Sequence, residues 1–312
     1  MRAVQYNKYG DYSVLEINEN APTPSLKQDQ VLVENYAASI NPFYIKLRLG
    51  YMQKMIPLNF PVTIGGDFSG KIIEVSKGIS DFKNGDEIYG SAQVVAGASG
   101  SMAEYLAASL KNISLKPKNI SFIEAAALPL VGASAIQALI DHINLQPGQK
   151  ILIHGGAGGI GHIAIQLAKS IGAFVVTTVN GSCFEFVKSL GADQILDYKT
   201  QKFAEILQDF DSVFDTAGGE VTDNSYKVLK KGGILVSMAG QPDQELAEKY
   251  GVTAIGQNTK TNTVNLDRLR KLVEANSIKV HIDKIFPLQD AREAFKYKEE
   301  NHPQGKVVVN IR

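Results

Sequence analysis

The sequence is short of thiols. One cysteine, Cys183, stands among 312 residues, which excludes an intrachain disulfide and any site built from several thiolates, four-cysteine structural zinc included. Surplus charge is missing too. Its 32 basic side chains balance 32 acidic ones, so there is no net electrostatic drive toward nucleic acid or an anionic membrane surface, and neither partner is expected. No apolar run approaches the roughly 20 residues of a membrane span, and the opening Met1-Arg2-Ala3-Val4-Gln5-Tyr6 runs directly into strand-like sequence. The expectation is a cytoplasmic protein with no membrane segment. The five histidines, His142, His154, His162, His281 and His302, lack a metal-binding spacing such as H-E-x-x-H, so no metal site is expected. Internal repeats and low-complexity linkers are absent as well. The chain is longer than one typical core supports, and two domains are expected.

What is present is concentrated in Lys150 to Asn180: an apolar strand, Ile151 to His154, a glycine loop, an amphipathic helix and a second strand, Phe174 to Val179. The loop reads Gly155-Gly156-Ala157-Gly158-Gly159-Ile160-Gly161. Within it Gly156, Gly158 and Gly161 supply the G-x-G-x-x-G spacing, read as the tight turn, the close approach of backbone to a pyrophosphate, and close helix-to-strand packing. Glycine-rich turns are common in a chain with 28 glycines, so the flanks decide. Ile160, Ile163, Ala164, Leu167, Ala168 and Ile171 fall on one helical face and Gly172 stops the helix. The pattern predicts a dinucleotide cradle whose helix N-terminus faces the phosphates with unpaired N–H groups and partial positive charge.

A carboxylate at the end of the second strand would bond the ribose 2′-hydroxyl of NAD and repel a 2′-phosphate. Val179-Asn180-Gly181-Ser182 places no acid there. NADP(H) is therefore the expected coenzyme, with Asn180 and Ser182 as candidate contacts.

From Met1 to about Leu115 short β-rich runs alternate with turns: Val31 to Glu34, Lys71 to Val75, Glu87 to Tyr89 and Ala103 to Leu106. They read as an antiparallel, barrel-like module. Gly65-Gly66-Asp67 and Asn84-Gly85-Asp86 are turn chemistry, the first at a point where the chain can pass close to a ligand. Ser121-Phe122-Ile123-Glu124 has the form of a capping box and opens an alanine-rich helix. Strand and helix then alternate, with strands at Gln194 to Leu196, Ser212 to Asp215 and Gly233 to Val236, and helices at Phe184 to Leu190 and Asp223 to Leu229. This is the pattern of a doubly wound parallel sheet, whose ligands lie beyond the carboxyl ends of its strands, here expected to open onto a cleft between domains. The tail carries helices at Leu266 to Asn276 and Leu288 to Glu299 and a strand at Gly305 to Val309. The expected division is residues 1–118, a nucleotide domain at 119–256 inserted into the first module, and a return to the first module at 257–312.

Taken in order, Ala38-Ser39-Ile40-Asn41-Pro42, Gly65-Gly66-Asp67-Phe68-Ser69-Gly70, Gly85-Asp86-Glu87-Ile88-Tyr89-Gly90, Ala127-Leu128-Pro129-Leu130, the glycine loop, Leu190-Gly191-Ala192-Asp193, Asp215-Thr216-Ala217-Gly218-Gly219 and Gly305-Lys306-Val307-Val308 resemble the zinc-independent quinone oxidoreductase branch of the medium-chain dehydrogenase/reductase superfamily over essentially the whole chain. The resemblance implies an α/β fold, with a doubly wound parallel Rossmann sheet inserted into a GroES-like, mainly antiparallel β-barrel catalytic domain. It also implies NADPH-dependent hydride transfer to a quinone or another activated α,β-unsaturated carbonyl. Zinc-dependent relatives carry a cysteine in the early loop, where this chain has Ser39 to Asn41, and Gly-His-Glu where it has Gly65-Gly66-Asp67, and without those ligands a Lewis-acid alcohol dehydrogenase mechanism loses its basis.

By the same resemblance, Asn41 is expected beside the nicotinamide and substrate, and Ser134 near the nicotinamide ribose. The loop from Gly155 to Gly161 is expected on the pyrophosphate, Ala217 and Gly218 near the nicotinamide, and Tyr198 over the 2′-phosphoadenosine. The lysine that some relatives place by the 2′-phosphate aligns with Cys183, leaving Ser182, Lys188 or Lys199 to substitute. Many relatives read Asn-Pro-x-Asp-x-Tyr-x-Arg-x-Gly; this chain has Tyr44 where they have the acid, and Tyr51 directly after Gly50. Tyr44 and Tyr51 are candidate proton donors, since a phenol stays protonated at neutral pH. Their alternative role, with Met52, Met55 and Phe60, is aromatic and apolar lining of an acceptor pocket. Lys306 is a candidate cofactor contact or a surface lysine. The competing functions are an enone or enoyl-thioester reductase with a tyrosine donor, and a non-catalytic NADPH-binding protein. Relatives that pair through the edge of the nucleotide sheet imply a homodimer, with Val252 to Asn262 near that edge.

Overall fold

A computed structural model of the chain describes residues 1–78 and 80–312. They divide into two compact units, one of Met1–Leu130, Thr261–Glu274 and Val280–Arg312, the other of Val131–Lys260 and Ala275–Lys279. The borders expected at 118 and 256 differ from these because of specific side chains. Ser121 and Glu124 close the capping box, but the short helix Phe122–Ala126 belongs with the first unit. Its Phe122 ring stacks on Tyr36 at 4.4 Å, and its Phe122 carbonyl accepts from Ser69 Oγ at 2.5 Å. A new helix, Pro129–Ile136, starts at a proline, which suits a first helical position because no N–H is lost there. Residues 257–260 stay with the second unit, held by the hydrogen bonds of Ser134 and Gln137 described below.

In the first unit the strand Gln30–Ser39 is central. It pairs antiparallel with Asp67–Val75, Tyr105–Ser109 and Lys306–Asn310. Glu87–Ser91 and Ile113–Leu115 extend the sheet on one side, and Ile282–Pro287 joins Lys306–Asn310 in parallel on the other. Val31 and Val33 bury one face of the central strand against Phe68, Ile72, Ile88 and Leu106. A smaller sheet sets Ala3–Tyr6 between Glu16–Asn18 and Val62–Thr63. The strand expected at Ala103 to Leu106 forms two residues later. Asn35 Nδ2 donates to the carbonyls of Ser101 at 2.7 Å and Ala103 at 2.9 Å, which ties that stretch to a side chain and leaves Ala103 only an isolated bridge to Ala3.

The second unit carries six parallel strands in the spatial order Gln194–Asp197, Phe174–Val179, Lys150–His154, Phe210–Asp215, Leu229–Ser237, Thr253–Gly256. The chain reverses its direction of winding beside Lys150–His154, so a crevice for ligand lies at that strand's carboxyl end. The helix expected at Asp223 to Leu229 runs instead from Glu220 to Ser225 with one further turn, Tyr226–Val228. Leu229 is already in the sheet opposite Phe210.

Candidate functional site

The glycine loop leaves the buried end of Lys150–His154. Gly155 holds φ at +72°, a left-handed conformation that disfavours other residues, so the tight turn falls on Gly155 and not, as the spacing suggested, on Gly156. Gly156 is required by packing: a Cβ there would fall on Thr177 Oγ1 and lie 2.9 Å from Ile165 Cδ1. A Cβ on Gly161 would fall on the Gly155 carbonyl oxygen, which is the close packing expected of the third glycine. At Gly158 a Cβ would meet only the Gly155 oxygen, at 3.3 Å. Ala157, Gly158, Gly159 and Ile160 are half-buried, and the helix Gly161–Ile171 begins with no side-chain cap at Ile160. An uncapped helix start beneath a glycine turn is a receptor for a phosphate anion, so this backbone fits a dinucleotide diphosphate.

The two histidines that bracket the loop have internal partners. His154 Nδ1 lies 2.8 Å from Thr178 Oγ1 and Nε2 3.0 Å from Ser225 Oγ. Burial pushes its pKa down to about 4, against a weaker opposing pull from Asp215. His162 Nδ1 is 3.0 Å from the Gly158 carbonyl. Among the described residues no group of three or more His, Cys, Asp or Glu side chains could hold a metal ion.

At the neighbouring strand ends, Asn180 Oδ1 accepts from Ser182 N at 3.4 Å and Ser182 is exposed. Tyr198 is 55% exposed, just past Gln194–Asp197 and bonded through its amide to the Val179 carbonyl. The second strand itself ends without an acid, but its neighbour supplies one: Asp197 pairs with Val179, and its Oδ2 would stand 2.7 Å from a Cβ on Gly181. Its Oδ1 accepts from Lys199 N at 2.9 Å. Ala217 and Gly218 follow Phe210–Asp215, and both amides donate to Asp215 Oδ1, at 2.8 and 3.0 Å. Their N–H groups are therefore held by the protein. The Ser134 hydroxyl, wholly buried, lies 2.8 Å from Thr259 Oγ1.

In the first unit Asn41, Tyr44 and Lys306 come together and Tyr51 does not. Asn41 sits at the head of the helix Pro42–Arg48, 1% exposed. Its Nδ2 donates to Asp67 Oδ2 at 2.8 Å, and its Oδ1 accepts from Lys306 Nζ at 2.5 Å. Lys306 also donates to the Ile40 carbonyl at 3.1 Å, so it is an interior lysine and not a surface one. With an acid on one side and an ammonium on the other, the carboxamide of Asn41 has one orientation only. Burial pushes the Lys306 ammonium down to about 8, with Asp67 opposing. The Asp67 carboxyl is raised by burial, with Lys306 and Asn41 opposing. Asp67 Oδ2 also accepts from Leu130 N at 3.1 Å, while Oδ1 is enclosed without a partner.

Tyr44 is buried with its hydroxyl against Gly66, where a Cβ would overlap it. Burial first, and the Asp67 charge second, hold its pKa well above the ordinary phenol value. Tyr51 and Met55 are each 74% exposed, and Phe60 is partly exposed, its ring edge-on to Tyr6 and Tyr9. The expected acceptor lining thus joins one buried side chain, Tyr44, to exposed ones. A cavity of about 420 Å³ lies nearby in sequence, lined by Ile56, Leu58, Val62, Val94 and Val95 among others.

Residues 27–118 match the family described as alcohol dehydrogenase GroES-like domain, and residues 190–309 that described as zinc-binding dehydrogenase. A curated relative from Arabidopsis thaliana named NADPH-dependent alkenal/one oxidoreductase, chloroplastic, is 36% identical over 99% of this chain and 79% of its own. A 2-methylene-furan-3-one reductase from Solanum lycopersicum is also 36% identical, over the same shares. The solved quinone oxidoreductase from Coxiella burnetii superposes with a TM-score of 0.92 at 35% identity, covering 100% of this chain and 99% of that one. The chain belongs to the zinc-independent quinone oxidoreductase branch of the medium-chain dehydrogenase/reductase superfamily. Its parallel Rossmann sheet and GroES-like domain are those that the sequence motifs implied.

In this family member three groups of the site, Asp67, Gln257 and Thr259, stand outside the sequence motifs' expected contacts. Asp67 is legible as an acid at the head of the strand Asp67–Val75, directly after two glycines. Gln257 and Thr259 gave no signal, because their significance comes from Ser134, more than a hundred residues earlier in the chain.

Proposed function

We propose that this protein is an NADPH-dependent oxidoreductase that passes hydride to a quinone or another activated α,β-unsaturated carbonyl without a metal. The observation that carries the reading is the loop from Gly155 to Gly161, where Cβ atoms at 156 and 161 are excluded and a helix starts uncapped. The names of the relatives at 35 and 36% identity support both coenzyme and acceptor class. Bound there, the coenzyme would supply the hydride. Gly155, Gly156, Ala157, Gly158, Gly159, Ile160 and Gly161 would hold its diphosphate, and Asn180, Ser182 and Tyr198 its adenosine end. Ser134, Ala217 and Gly218 would flank the nicotinamide end, the last two through atoms other than their amide hydrogens.

Asn41, fixed by Asp67 and Lys306, keeps one amide hydrogen for an acceptor carbonyl or for the coenzyme. Mixing the protein with NADPH and a panel of quinones and enones, and following the reduced-nicotinamide absorbance, is expected to show turnover of both classes. Tight NADPH binding with no turnover across the panel would favour a binding protein, and turnover of enones alone an enone reductase.

A homodimer and a cytoplasmic location belong to the same reading. Thr253–Gly256 is the edge strand of the parallel sheet, a template for pairing with a second copy; sedimentation as a monomer would remove that part. The lone cysteine suits a reducing compartment, and relatives' names include chloroplastic and mitochondrial proteins. Among the described residues, no helix is long and apolar enough to cross a membrane.

A further inference from the structure

We propose that Gln257 is the acceptor for the carboxamide N–H of the nicotinamide ring. The assignment rests on the reading that the chain binds NADPH, and it concerns a residue that neither the motifs nor the resemblance singled out.

Gln257 directly follows Thr253–Gly256, the last strand of the parallel sheet. Its amide donates to the Ser237 carbonyl at 2.8 Å, which holds it at the carboxyl ends of the final two strands. In a doubly wound sheet the two ends of a dinucleotide lie over the two halves of the sheet, on either side of the winding reversal. The diphosphate cradle is on Lys150–His154. The adenosine side then falls over Phe174–Val179 and Gln194–Asp197, and the ring side over the half that ends at Ser237 and Gln257.

The orientation of the Gln257 carboxamide follows from its partners. Nε2 donates to the Ser134 carbonyl at 3.1 Å and to Thr259 Oγ1 at 3.4 Å. A carbonyl only accepts, so nitrogen must face Ser134 and oxygen must point the other way. Gln257 is 7% exposed, and its Oε1 is enclosed with no hydrogen-bond partner. An enclosed carbonyl oxygen with no donor is destabilising, and bulk water does not relieve it here. A ligand carrying its own amide hydrogens does. A primary carboxamide offers two such donors; whatever encloses the oxygen must give way to it, and the new hydrogen bond offsets that displacement.

Gln137 fixes the segment that carries this group. Its Nε2 donates to the Asn258 carbonyl at 3.0 Å and its Oε1 accepts from Lys260 N at 2.9 Å. With Ser134 on Thr259, residues 257–260 are clamped to one helical segment, so the acceptor is held in place before any ligand arrives.

The test compares NADPH with its reduced 3-acetylpyridine analogue, in which a methyl ketone replaces the carboxamide and every ribose and phosphate group is kept. Calorimetry on the intact chain is expected to show NADPH binding about tenfold tighter than the analogue, the scale of one neutral hydrogen bond. Gln257→Met, close in shape but without the acceptor, is expected to bind the two within about twofold of each other. Equal affinities in the unaltered protein would overturn the assignment while leaving NADPH binding intact, and so would a folded Gln257→Met protein that keeps the tenfold preference. Should the unaltered protein bind neither compound, the functional reading itself falls, and this assignment with it.

Discussion

Tyr44 shows how one residue changes its meaning once its neighbours are known. By sequence it replaces a family acid and is a candidate proton donor; in the structure it is packed into the core, with its hydroxyl over Gly66 and the Asp67 charge nearby. Burial and the nearby carboxylate both oppose loss of its proton. A phenol held that firmly is a poor acid and serves better as a polar wall. The expected outcome for Tyr44→Phe is therefore a fall in kcat below about tenfold, the worth of one neutral hydrogen bond, and of similar size on a quinone and an alkenal. Loss of a true general acid typically costs about 10²–10⁴-fold. A drop of that size confined to the alkenal would show that Tyr44 protonates product. Tyr51→Phe, at a side chain 74% exposed, is expected to leave both rates unchanged.

At the scale of elements, the glycine loop was the most legible part of the chain. Its requirements are local: a strand, a turn and a helix within a dozen residues, with glycine wherever a Cβ would strike backbone. Even so, periodicity could not say which glycine takes the left-handed conformation: it is Gly155, while Gly156 is kept free of a Cβ by Thr177 on the adjacent strand. Gly161→Ala tests the element. Alanine favours helix by about 1 kcal/mol over glycine, so the fold is expected to persist by circular dichroism. The methyl strikes the Gly155 carbonyl, and overpacking of about 1–3 kcal/mol would displace the loop, so NADPH affinity measured by calorimetry is expected to fall about tenfold or more. Unchanged affinity would mean that the close packing at Gly161 does not shape the cradle. The short helix Phe122–Ala126 shows the opposite case: its capping box is written in Ser121 and Glu124, but which unit it joins depends on Tyr36 and Ser69.

For the molecule as a whole, the buried His154 ties stability to pH. Its folded pKa, about 4, lies below the ordinary 6.5, so the unfolded chain binds a proton that the folded chain excludes. Stability is therefore full above 6.5, falls as pH drops from 6.5 to 4, and loses nothing further from this residue below 4. At about 1.4 kcal/mol per pH unit, the loss reaches about 2 kcal/mol at pH 5. Urea unfolding of the protein at pH 7 and pH 5 is expected to show a lower midpoint at pH 5, with a smaller difference in His154→Gln. An undiminished difference in the variant would assign the acid sensitivity to other groups.

The sequence by itself determined the parallel nucleotide sheet, the glycine loop between its strand and helix, and the kinship with the metal-free reductases. Those depend on residues close together in the chain, whose backbone geometry is set by glycine, by capping and by apolar spacing. Only the tertiary structure decided that Asn41 would be held between Asp67 and Lys306, partners 26 and 265 positions away, that Asp197 would come to stand under Gly181, and that Gln257 would be left with an unsatisfied oxygen. Such meetings are fixed by strand register and by which hydrogen bonds remain unmade after packing, and neither has a signature within a short window of sequence.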